Sequence, residues 1–317
     1  MSTNFLLQLM RKDWNARISC DHLGWMNDSV NSLSDFWATG ERDFQALFSD
    51  VDLENAKNLS FLELGCGVGR LLRSAAKYSQ NIVGVDISPV ALKVARQLLQ
   101  DTSNIQYVAG EGDNLKDIPE NSVDFAYSFA VFQHLPAIVL SKYLLELNRV
   151  LKSGGVAKIQ LFIGEETPTP FEDTAAYRRI PKSRLQEVLE HYGFSLDRIE
   201  DLELNIEVPE NSPLKPVIVS ISKTASLNTD ISTRYHLLAS RQEYSAGPDW
   251  VGSNAEYSMA VTLGLEHLEN GRFDQARRSF KFAIDRYKHP EKAAVEAYCY
   301  LTGIQCKRDA INQTDCN

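Results

Sequence analysis

Eight residues constrain this chain more than any other stretch: Glu63-Leu-Gly65-Cys-Gly67-Val-Gly69-Arg70. They follow an apolar-rich run, Leu59-Ser-Phe-Leu-Glu-Leu64, and precede Leu71 to Tyr78, which carries a helical pattern. Three alternating glycines exceed what a tight turn needs, and they let the backbone approach a ligand at the carboxyl edge of a sheet. The same rhythm continues downstream. Asn81–Ile87, Ile105–Ala109, Val123–Ala130 and Val156–Ile163 are short apolar runs of the kind that form buried strands. Ser88-Pro89 opens a helix between two of them, with Ser as N-cap and Pro in the first turn. A further helix runs from about Pro136 to Leu151, where Ser153-Gly154-Gly155 is expected to stop it. Strands alternating with helices predict an α/β fold with a mostly parallel sheet. After a helix at Pro181 to Tyr192, Phe194–Leu204 and Pro216–Ser222 follow as strands with no helix between them. They predict an antiparallel edge.

Spacing narrows the ligand. A dinucleotide-binding turn wants G-x-G-x-x-G, yet Arg70 stands where its third glycine belongs and Gly69 gives G-x-G-x-G. This pattern resembles the first motif of the class I methyltransferases that use S-adenosylmethionine. Gly110-Glu111-Gly112 resembles that family's Gly-Asp-Gly segment, with Glu111 in place of Asp. Ser122 to Pro136 and Leu151-Lys-Ser-Gly-Gly155 are similar to its fourth strand, the loop after it and the turn before the fifth. The likeness covers about residues 55–163, extends more weakly to 223, and includes a pre-core helix at Asp35–Asp43. It implies a Rossmann-like methyltransferase sheet with S-adenosylmethionine as cofactor. It also implies that Glu63, Gly65, Gly67 and Gly69 face the methionine part and that Glu111 accepts from the adenine amino group. Ile87, Gly110 and Gly112 border the cofactor in the same reading, with Ser128 and Gln133 as positioning residues. Asp86 ends the second strand 21 positions after Gly65. A carboxylate there accepts hydrogen bonds from both ribose hydroxyls, or serves as a helix N-terminal carboxylate favoured by the dipole.

Methyl transfer from a sulfonium is an in-line displacement that needs orientation, and a base if the acceptor carries a proton. His134, in the loop after the fourth strand, is the candidate base; the alternative is that it orders the helix starting at Pro136. Trp14, Trp25 and Trp37 in the first 45 residues, and Tyr177 in the insert Gly164–Ile180, are candidate walls of an acceptor pocket. A formal charge of −9 with no basic stripe argues against nucleic acid. No apolar run reaches a membrane span and the first ten residues lack a basic flank, so neither a membrane segment nor a signal peptide is expected. Five scattered cysteines without a C-x-x-C suggest neither a disulfide framework nor a zinc site; no metal is expected, and the compartment reads as cytoplasmic.

The chain therefore reads as an N-terminal helical lid (1–50), a methyltransferase core (51–223), a polar linker (224–252) and a small all-α module (253–317). In the last, Gly264, His267, Gly271, Phe273, Ala276, Phe280 and Ala283 resemble the tetratricopeptide repeat, with Phe273 and Phe280 filling the gap between two helices. Such a module implies packing on the core, a protein partner or self-association. The expected acceptor is a small molecule or glycan. Two rivals remain: an inactive cofactor-binding core that serves the helical module, and a nicotinamide-dependent oxidoreductase on a similar sheet.

Overall fold

The apolar runs become strands because each is covered on both sides. In the computed structural model β1 (Ser60–Leu64) has four of its five residues buried, and β2 (Asn81–Asp86), β3 (Ile105–Ala109), β4 (Val123–Ser128) and β5 (Leu151–Ile163) lie parallel around it. Residues 3–27, 32–202, 215–227, 243–246, 254–287, 290 and 292–303 are described. Most of the expected linker, the end of the first edge strand beyond 202 and the part of the expected all-α module past 303 lie outside them. The seven-stranded sheet has the order β3-β2-β1-β4-β5-β8-β7. β7 (Phe194–Asp201) and β8 (Lys215–Lys223) pair antiparallel, and β8 also pairs antiparallel with β5. This is the expected α/β sheet with an antiparallel edge. The chain reverses direction across the sheet between β1 and β4, which opens a crevice at their carboxyl ends.

Helices α3 (Leu72–Ala75), α4 (Pro89–Leu98), α5 (Ala137–Val150) and α6 (Lys182–His191) follow in chain order. Ser88 caps α4 as its spacing predicts: its Oγ accepts from the Ala91 amide at 3.0 Å. Two expectations are corrected. The helix after the glycine turn is a single turn rather than the full Leu71–Tyr78, since the chain must drop at once to β2. The glycines at 154 and 155 do not stop α5, which ends at Val150. Leu151 already pairs with Val123 and Val156 with Phe125, so the glycines bulge out of β5 instead.

Both chain ends fold over the crevice. α1 (Thr3–Cys20) buries Leu6 and Met10 in the main core, and α2 (Leu33–Leu47) packs on α3. The C-terminal helices are α7 (Asn254–Glu269), α8 (Phe273–Arg286) and α9 (Lys292–Thr302). Trp25 and Cys20 share a cluster with Tyr257, Ala260, Leu263, Phe282 and Ala283. A Cβ at Gly264 would lie 2.7 Å from the Phe280 ring, so only glycine permits this approach of α7 and α8. Phe280, Ala276 and Ala283 are buried as the repeat-like pattern demands, but Phe273 is 58% exposed. It is the first residue of α8, where the ring has no facing helix. Between α7 and the segment after α1, His267 bonds Asp21, and the amides of Leu23 and Gly24 hold the same carboxyl. Burial raises the Asp21 pKa, yet these hydrogen bonds outweigh it and hold the carboxyl below its ordinary value.

The polar stretch before α7 touches the core in both of its described segments, first where Asn148 donates to the Ala225 carbonyl at 2.8 Å and the Leu227 amide donates to Asn148. β9 (Glu243–Tyr244) pairs with β6 (Thr169–Pro170), and the Glu243 carboxylate accepts from the Ala137 amide and from Arg178 Nε, both at 3.1 Å. Cys20 and Cys66 are free buried thiols, whereas Cys299 is disulfide-bonded, a bond the scattered spacing did not announce. No helix among the described residues is long and apolar enough to cross a membrane.

Candidate active site

The glycine turn closes on the end of β2. The amides of Gly65 and Cys66 donate to the Val85 carbonyl at 2.7 and 3.0 Å. The Gly67 amide donates to Asp86 Oδ2 at 2.8 Å, and the Ser88 amide to Oδ1 at 2.7 Å. Gly65 and Gly67 have φ of +76° and +52°, which a side chain would strain. A Cβ at Gly67 would also sit 2.5 Å from the Met26 sulfur, so the N-terminal segment lies directly on the turn. Each Asp86 oxygen keeps a second lone pair for an incoming hydroxyl. Burial pushes this carboxyl up to about 6, with the two amides pulling the other way.

These residues line one cavity of about 370 Å³ at the crevice. Of the expected site residues it gathers Glu63, Gly65, Gly67, Asp86, Ile87, Gly112, Gln133, His134, Trp14, Trp25 and Tyr177. Others stand elsewhere. Glu111 pairs with Lys116 and Asn114 outside the cavity. Gly110 is scaffold: its amide donates to the Asp86 carbonyl and its carbonyl accepts from Arg11. Ser128 donates its hydroxyl to the Leu64 carbonyl at 2.7 Å and so ties β4 to β1. Gly69 faces Leu99, and Trp37 packs on Phe36 and Arg73.

Glu63 is 3% exposed, and Tyr127 donates its hydroxyl to it at 3.1 Å. Burial pushes Glu63 up to about 8, against the opposing Tyr127 hydrogen bond and the Arg70 charge. The folded chain thus keeps a proton that the unfolded chain, with an ordinary value of 4.5, releases. Folded protein binds more protons, so stability falls as pH rises through that window, by about 1.4 kcal/mol per pH unit for one proton. Glu63→Gln, which keeps an acceptor for Tyr127, flattens the curve and is the more stable form near the top of the window. Chemical denaturation between about pH 5 and 8 checks this; parallel curves for the two proteins refute it.

His134 Nδ1 lies 3.1 and 3.2 Å from the carbonyls of Ala175 and Ala176. Carbonyls only accept, so Nδ1 carries the proton and Nε2 keeps a lone pair. Nε2 has no partner among the described residues. Burial lowers the ring to about 4, so it is neutral near pH 7. The loop that presents it is held by Gln160, whose Oε1 accepts from the Ala130 amide at 3.0 Å, with Ala130 at φ +58°.

Sequence reading missed several walls. Arg70 pairs with Asp43 of α2 and so anchors the turn to the pre-core helix. Glu256 and Met259 reach the cavity from α7. Glu256 Oε1 lies 2.8 Å from Arg17 Nη2, and Arg17, 1% exposed, also donates to Thr174 at 2.9 Å. Thr174 donates to Asp13, which pairs with Arg286 at 3.0 Å. The Arg17 guanidinium sits 4.8 Å from the Trp14 ring centre. The one signal in the sequence is that Asp13 and Arg17 fall at helical spacing on the same face of α1 as Leu6 and Met10.

Residues 62–159 match the family model described as a methyltransferase domain. The chain is 34% identical over 106 residues to a demethylmenaquinone methyltransferase of Staphylococcus carnosus, covering 32% of this chain and 42% of that protein. It is 26% identical over 106 residues to a sterol 4-C-methyltransferase of Caenorhabditis elegans, covering 32% and 31%. It spans less than half the length of these two curated relatives. Among solved structures, the Burkholderia thailandensis 1,6-didemethyltoxoflavin-N1-methyltransferase, with 1,6-didemethyltoxoflavin and S-adenosylhomocysteine bound, superposes with a TM-score of 0.51. It is 16% identical, covers 69% of this chain and 88% of its own, and shares the fold. The cavity here suits a nucleoside of the kind bound in that structure: Asp86 has spare lone pairs at a strand end, and the buried Gln133 Oε1 on the cavity wall lacks a partner among the described residues.

Proposed function

We propose that the chain transfers a methyl group from S-adenosylmethionine to the oxygen or nitrogen of a small-molecule acceptor. The observation that carries this is Asp86, fixed by two backbone amides at the end of β2 and facing the cavity that the glycine turn opens. The names of the demethylmenaquinone and sterol relatives support a small acceptor. When bound, the cofactor supplies an electrophilic methyl carbon on a sulfonium. The chain's own residues hold and orient. Asp86 takes the ribose hydroxyls, the turn admits the ligand close to the backbone, and Gln133 offers its free carbonyl oxygen. Neutral His134 accepts a hydrogen bond from the acceptor at Nε2 and takes its proton as the new bond forms. α1 and α7 cover the site and exclude water.

S-Adenosylhomocysteine binds at micromolar levels, worth about 8 kcal/mol, and NAD does not. At 100 times the dissociation constant, linkage raises stability by about 2.7 kcal/mol. A melting temperature that stays flat across a saturating series of the nucleoside, or that rises equally with NAD, refutes the reading.

A further inference from the structure

We infer that the acceptor is an uncharged, planar aromatic molecule that stacks on the rings of Trp14, His134, Tyr177 and Phe162. This rests on the methyl-transfer reading above and narrows its acceptor to one class. The four rings all line the cavity and touch in series. Trp14 and His134 have centroids 5.6 Å apart, His134 and Tyr177 5.2 Å, and Tyr177 and Phe162 5.3 Å. They come from α1, the loop after β4, the segment after β6 and β5. No single element's core periodicity accounts for that run. Met26 and Met259 add polarizable thioethers that adapt to a ring.

Charge argues the same way. Each charged side chain on the cavity wall is already engaged. Arg42 and Arg70 share Asp43, Arg17 holds Glu256 and two amides hold Asp86, while Glu63, protonated beside Tyr127, carries no charge. A carboxylate or phosphate on the acceptor would find only the half-exposed Arg42, already on Asp43, to pair with, and a poorly paired buried charge is strongly disfavoured. A sugar would bring several hydroxyls to a wall of rings and thioethers, and each one left unbonded loses its bond to water. An aromatic ring meets faces and edges of like kind. Its one polar group meets Nε2 of His134, the nitrogen that the Ala175 and Ala176 carbonyls leave with a lone pair.

The test uses the full chain saturated with S-adenosylhomocysteine and three probes: 2-naphthol, 2-naphthoate and methyl β-glucoside. Calorimetry and the fluorescence of Trp14 and Trp25 read binding. 2-Naphthol binds, while 2-naphthoate binds at least about tenfold more weakly and the glucoside gives no heat. Trp14→Ala weakens 2-naphthol about tenfold, and so does Tyr177→Leu, a change at a half-exposed residue that leaves folding intact. Both variants keep the wild-type affinity for S-adenosylhomocysteine. Three outcomes overturn the inference: 2-naphthol fails to bind the loaded protein, either competitor binds equally well, or neither substitution alters 2-naphthol binding. If S-adenosylhomocysteine itself does not bind, the methyl-transfer reading fails first and the inference falls with it.

Discussion

Asp86→Ala lowers affinity for S-adenosylhomocysteine about 5- to 150-fold, since ribose hydroxyls left without an acceptor cost about 1–3 kcal/mol and about 1.4 kcal/mol is tenfold. The effect on stability is a separate quantity. The carboxylate accepts from the Gly67 and Ser88 amides, so its removal frees two donors at the turn. Burial, on the other hand, already pushes the group up to about 6, so its ionised form carries a penalty that the substitution removes. Opposing terms leave a modest loss, about 1–3 kcal/mol at most. The pH dependence distinguishes ligand binding from a purely structural role. Binding favours the ionised carboxylate, so wild-type affinity rises with pH through about 6 and then levels, whereas the variant is flat. Titrations across that range decide the matter. Equal slopes for the two proteins would falsify the ribose role, leaving Asp86 as a brace for the turn alone.

Glu256→Ala costs about 3–5 kcal/mol, because it leaves the Arg17 guanidinium buried and without its partner. Arg286, which also lies 3.3 Å from Glu256, keeps Asp13, so the loss concentrates on Arg17. Pairing Glu256→Leu with Arg17→Met removes both charges and restores most of the stability, since a packed apolar pair replaces a buried ion pair at little loss. Denaturation of the wild type, the two single variants and the double variant measures the coupling. Additive losses would mean that the two side chains do not depend on one another.

The parts legible in the sequence are those set by neighbours along the chain. The strand–helix rhythm from Leu59 to Ile163 needs only local apolar runs, and the Ser88 cap and the glycine turn are each fixed within a few residues. Asp86 was legible for the same reason, as it must stand at the end of the strand that follows the turn. The structure adds what the local pattern leaves open. Glu111 stands at the adenine position by sequence, and its exposed carboxylate pairs with Lys116 five residues on. Trp37 shares a helix with Asp43, yet its place on that helix turns it to Arg73 rather than the cavity. The glycines at 154 and 155 resemble a helix stop until the register of β4 on β5 makes them a bulge. Glu256 and Met259 had no local signal at all, because what makes them walls is the docking of α7 against α1.

That docking sets an order of events during synthesis. Arg17 leaves the ribosome 239 residues ahead of Glu256. At about 5–20 residues per second the interval is about 12–48 seconds. Late in it, once residue 223 has been made, the sheet and glycine turn are available to fold, while Arg17 still lacks Glu256 and Trp25 still lacks the cover of the last helices. A nascent chain of this kind gains the glycine-turn side of its cavity early and the Glu256–Met259 wall only when the last helices arrive. Premature release therefore yields a molecule whose cavity stays open on that side.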